Sequence, residues 1–283
     1  MIESVTFPRE LLTYGVKGVG SMTTTKRILS VFLIALFLLF PGCAAPACTS
    51  ETAPTPTAEP TAEPTPEVPT VTLTLRVIDS NENGSTLLAD TNSSAVYRNT
   101  LPDGKTYPAG TLLEVTCADE VLEIYPAQLA EIYEAEPIDD SFDDRCALYL
   151  QVFEDLWEED QALQADIDYI GIDLSHTSLT KSEQDALAWR FGELKGKEVL
   201  VGTFDELCEQ GFIDGENLYW ENGCLLSIEE EGLPDEESYL NKVLFRAQKW
   251  RSGLGAIMFT SCTAERDKTG HWGEYTAGGF AIA

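Results

Sequence analysis

From residue 71 to residue 78 apolar and other side chains alternate, with Val71, Leu73, Leu75 and Val77 set between Thr72, Thr74, Arg76 and Ile78. A period of two places one set on one face, so a half-buried strand is predicted there. Asn83-Gly84 is a hairpin turn signal, and Leu87-Leu88 behind it begins the returning strand. Pro102-Asp103-Gly104 marks another turn. Further strands are predicted at 111–116 and 121–125, followed by Pro126-Ala127-Gln128 and a run to Tyr133. Beyond residue 142 the period changes. Tyr149, Val152, Phe153 and Leu156 fall at i, i+3, i+4 and i+7, the spacing of an amphipathic helix. Thr180 with Glu183 forms a capping box that opens a helix through Leu187, Phe191 and Leu194. Thr203 with Glu206 forms a second box, and Gly211 closes that shorter helix. Strands are expected at 167–172 and 199–201. After them the signal is β at 218–220, 224–228 (behind Asn222-Gly223), 243–250, 256–263 and 272–282.

Two folded units follow, 71–140 and 141–283. The first, about five strands in a short span, reads as an all-β small barrel of the OB type. The second, helices followed by an antiparallel curved sheet, reads as an α+β domain of NTF2-like or cystatin-like form. The stretch Ala109-Gly110-Thr111-Leu112-Leu113-Glu114-Val115, then Val121-Leu122-Glu123-Ile124-Tyr125-Pro126-Ala127-Gln128, resembles a family of small OB-like domains in lipoproteins of Gram-positive bacteria. That resemblance covers roughly residues 71–138, with Leu113 replacing the first Val of the family's strand. It implies fold and cell location and carries no activity. Lys249-Trp250-Arg251-Ser252-Gly253-Leu254-Gly255-Ala256 is likewise similar to uncharacterised bacterial lipoproteins.

The N-terminal part fits the same picture. Lys26 and Arg27 precede an apolar run of 13 residues at 28–40, too short to span a hydrocarbon core of roughly 30 Å and suited to a signal peptide. Residues 1–21 add nothing such a signal needs, and Met22 is read as the start, with residues 22–43 as the signal. Phe40-Pro41-Gly42-Cys43 resembles the lipobox of bacterial lipoproteins, which implies lipid attachment at Cys43. The competing reading is cleavage at Ala45-Pro46-Ala47 and release of a secreted protein. Residues 44–70 are rich in Thr, Pro and Glu and form a tether; in polyproline II form, 49–70 would reach roughly 70 Å.

Charge narrows the partners. The chain has 18 Lys and Arg against 48 Asp and Glu, a net charge of −30. Such a surface repels nucleic acid and anionic headgroups, so neither is expected to bind the folded part. Contact with the membrane is expected only through the lipid, on its extracytoplasmic side. Cys117, Cys146, Cys208, Cys224 and Cys262 are odd in number and contain no Cys-x-x-Cys pair, so no zinc site is indicated and no cofactor is expected.

Four constellations offer chemistry. Ser178-Leu179-Thr180-Lys181 with Lys268-Thr269-Gly270 has the outline of a serine acyl-transferase. No Ser-x-Asn lies between the two motifs, and a helix cap and a turn account for the same residues. Asp79, Asn81, Asn83 and Asp90, spaced around Gly84, fit a calcium loop, but strands rather than helices flank it. Lys249, Arg251, Trp250 and Trp272 are the candidate ligand-binding set, a basic sheet face for an anionic or sugar-like envelope ligand. The competing reading pairs the local basic residues, Arg246 among them, with Glu229, Glu230 and Glu231 on the preceding strand. Finally, Ser252 and His271 can be drawn into a hydrolase set, although no nucleophile elbow accompanies them, and His176 lies in a loop before a helix cap. A non-catalytic envelope binding module is therefore expected, with an envelope serine hydrolase or acyl-transferase as the alternative.

Overall fold

The computed structural model describes residues 5–6, 69–139, 141–232 and 241–283. The alternating segment forms β2 (Thr70–Ser80), which turns into β3 (Ser85–Asp90) and then β4 (Val96–Thr100). The β2–β3 turn is held by Asn81, whose Oδ1 accepts from the backbone N–H groups of Asn83 and Ser85, with Gly84 at φ +79°. On the other side of β2 lie β5 (Leu112–Ala118) and β8 (Ile132–Pro137), giving an antiparallel sheet of order β4-β3-β2-β5-β8. A two-strand hairpin, β6 (Val121–Leu122) with β7 (Gln128–Leu129), stands beside it. The expected barrel is not closed. β4 and β8 are the two ends of the strand order and do not pair with each other, so the unit is an open sheet.

The openness has a packing reason. One face of the sheet gathers Leu75, Val77, Leu88, Tyr97, Leu113 and Val115 into its own core. Ile78, Leu87, Ala89 and Val96 instead join the large core built around the helices. A barrel would turn that second face to solvent. Here α1 (Arg145–Glu158) packs on β2, and α2 (Lys181–Lys195) packs on β2, β3 and β4.

The same helices rest on a second, larger sheet. β9 (Tyr169–His176) runs parallel to β10 (Glu198–Val201) and to β11 (Gly223–Glu231), with α2 and α3 (Phe204–Glu209) as the crossovers. β12 (Lys242–Ser252) and β13 (Gly255–Glu265) continue antiparallel from β11. β14 (Thr276–Ala277), β15 (Gly279–Ile282) and β1 (Val5–Thr6) complete that side. The sheet is thus mixed where a wholly antiparallel one was expected. A parallel pair needs a long crossover, and α2 supplies it between β9 and β10. Both capping boxes form, at Thr180 with Glu183 and at Thr203 with Glu206, and α2 ends on Gly196 at φ +62°. The described fold is β-rich with few helices, and two of these helices are sandwiched between the sheets.

Candidate functional site

Ile170, Ile172 and Leu174 of β9, and Leu226 and Ile228 of β11, face α1 and α2. The intervening residues face the other way, where α3 covers one end through Leu207, which clusters with Trp220 and with Leu225 of β11. α2 therefore leaves β9 on one side of the sheet, while α3 leaves β10 on the opposite side. Between two such connections a parallel sheet opens a crevice at the carboxyl ends of its strands. A cavity of about 500 Å³ lies there.

Strand register builds its floor in rows. Asp173 pairs across to Ser227, and Ser227 to Gln248. One row toward α3, Gly171 lies opposite Leu225 and Leu225 opposite Trp250. One extra residue in β9 between Asp173 and His176 shifts the register, so that Glu229 lies opposite His176 at the end of β9. Thr203, Phe204 and Asp205 form the wall contributed by the start of α3.

The wall and floor are held from behind. Phe204 meets Trp250 edge to face, with ring centroids 5.1 Å apart and planes at 85°. Asp173 is oriented by Ser175, whose N–H and Oγ donate to its Oδ1 at 3.0 and 2.6 Å. Glu229 accepts from the Arg246 guanidinium. Hydrogen bonds from the Thr203 backbone and hydroxyl hold the Glu206 carboxyl below the ordinary carboxylate range. On the same face, beside the floor, Trp220 is fully buried against Gly171, where any side chain would collide with the indole.

Of the four residues expected to bind a ligand, one reaches this cavity. Trp250 lines it. Lys249 points to the opposite face and is fully buried, donating to the carbonyls of Trp157 and Glu159 and to Gln164 Oε1. Burial lowers its pKa. Arg251 is spent on the backbone carbonyls of Ala162, Ala165, Trp220 and Glu221. Trp272 is fully buried, its indole N–H donating to Asp143 at 2.8 Å. Lys249 and Trp272 are thus withdrawn from solvent, and Arg246 pairs with Glu229 across β11 and β12.

The calcium-loop residues diverge. Asp79 meets Arg190 at 2.8 Å, Asn81 closes its own turn, and Asp90 accepts from Asn92 N–H and Ser93 Oγ. Asn83 contributes its backbone N–H to that turn. Ser178 donates its hydroxyl and N–H to Glu230, Lys181 pairs with Asp185, and Lys268-Thr269-Gly270 lies in a turn organised by Asp267. His271 Nδ1 lies 3.1 Å from buried Asp144. The Ser252 hydroxyl accepts from Leu254 N–H within its own turn. The five described cysteines are free thiols. Cys43 lies outside the described residues.

Asp173, Phe204, Asp205, Ser227 and Gln248 were not singled out by their pattern. The capping box at Thr203 and the alternation Leu225, Ser227, Glu229 were the signals that mark this wall and floor. A second hollow, also about 500 Å³, lies between α2 and β10 beside the exposed Tyr125. No family model, curated protein or solved structure matches this chain.

Proposed function

We propose that this chain is a non-catalytic binding module of the bacterial envelope, attached by lipid at Cys43 and displayed on the extracytoplasmic side of the membrane by its Pro-rich tether. The observation that carries the binding role is the crevice over β9, β11 and β12, a concave site at the strand ends that joins an aromatic pair to several polar side chains. The signal-like segment with its cysteine supports the location. The first sheet is read as an opened OB-like lipoprotein module, on the strength of its Tyr-Pro-Ala-Gln segment, and the helices with the second sheet as the α+β partner. The acyl-transferase alternative has less support, because the Ser178 hydroxyl is committed to Glu230 and Lys181 to Asp185.

Two measurements test the proposal. Metabolic labelling with an alkyne palmitate should mark the protein and lose the mark in Cys43→Ala; unlabelled wild type overturns the anchor. Nitrogen-edited NMR spectra with a solute panel of amino acids, oligosaccharides, amines and phosphate should move the Trp250 indole resonance with at least one member. A panel that leaves it unmoved overturns the binding site.

A further inference from the structure

We infer that the crevice selects a small organic cation, an alkylammonium or quaternary ammonium group, an inference that rests on the binding reading above. Asp173, Asp205 and Glu229 line the cavity, none of its lining residues is Lys or Arg, and His176, opposite Glu229, is its one imidazole. Glu229 is neutralised by Arg246. Asp173 and Asp205 have no ion-pair partner among the described residues, so a floor carboxylate and a wall carboxylate are left to compensate a cation. Trp250 lines the same cavity from β12, and an indole is the best aromatic partner for a positive charge. Phe204, set edge to face, holds that indole in place. Ser227 and Gln248, in the same row as Asp173, add neutral hydrogen-bonding groups.

A bare metal ion fits less well. Among the described residues no three His, Cys, Asp or Glu side chains converge to hold one. An anion is opposed by the lining carboxylates and by a chain charge of −30, which raises the local concentration of cations instead. An uncharged sugar would use Trp250 and Gln248 but would leave Asp173 and Asp205 without a countercharge.

The test uses the full chain in 0.15 M salt, where weak long-range attraction is screened. Choline and spermidine are titrated against maltose and inorganic phosphate, with the Trp250 indole resonance as reporter. Choline is expected to move that resonance, with binding weakened about tenfold in Asp173→Asn and, read by calorimetry because the reporter indole is gone, in Trp250→Leu. Asp205→Asn alters an exposed residue and keeps the test valid if Asp173→Asn fails to fold; it should weaken choline several-fold. Cation binding unchanged in both carboxamide variants overturns the inference. So does a response to maltose or phosphate alone, which leaves the binding reading intact. Silence from all four probes also overturns it, and the binding reading falls with it only if the wider solute panel fails too.

Discussion

Arg76 Nε donates to Glu183 Oε1 at 3.0 Å, joining the middle of the first sheet to the N-terminal turn of α2 across a sequence separation of 107. The same guanidinium donates to the carbonyls of Gly110 and Ser141. Glu183 also accepts from Thr180 in the capping box. One carboxylate thus serves as helix cap and as inter-element clasp, and both partners are mostly buried.

Arg76→Met removes the cation and leaves Glu183 charged in a largely dry position. Breaking one side of a buried pair costs about 3 kcal/mol. Urea unfolding should show a loss of that order, and adding Glu183→Gln to the variant should cost less than the two single changes summed.

Lys249 acts as a hub for the segment that follows α1. Lys249→Met fills similar volume and leaves the Trp157 and Glu159 carbonyls without their donor. A loss of about 2 kcal/mol is expected in urea unfolding. If the residue instead served a surface ligand, stability would scarcely change.

The cavity floor depends on a missing side chain. A Cβ at Gly171 would stand 2.8 Å from the Trp220 ring and 2.9 Å from Leu225. Gly171→Ala should cost about 1–3 kcal/mol by overpacking. The Trp220 emission should shift to the red as its indole is displaced, measured against a Trp220→Phe control.

Burial raises the Cys224 and Cys262 thiols from the ordinary 9.0 to about 12. Between those pH values the unfolded chain has lost protons that the folded chain keeps, so stability falls as pH rises through that range. Lys249, shifted downward by its burial, opposes part of the effect in the same range. Thermal unfolding from pH 8 to pH 11 should therefore show a declining Tm. At pH 8 a maleimide should modify half-exposed Cys208 well before Cys117, Cys146, Cys224 and Cys262.

Local pattern was enough for what depends on neighbours in the chain. The alternation around Leu75, the helical spacing from Tyr149 to Leu156 and the two Thr–Glu boxes are settled within a few residues by backbone geometry and the hydrogen bonds of a helix terminus. Ile78 shows where this stops. Its place in the alternation suits the solvent side of a half-buried strand, yet it is buried because α1 and α2 cover that face. Lys249 and Trp250 show the same for function. Adjacent on one strand, they point to opposite faces, and only the cover on each face distinguishes a buried structural ammonium from a cavity-lining indole. Asp173, Ser227 and Gln248 are far apart in the chain and meet because a parallel pair and an antiparallel pair share β11. Strand alternation belongs to the chain, whereas register and the choice of covered face are set by long-range packing, and the candidate site is made of those two.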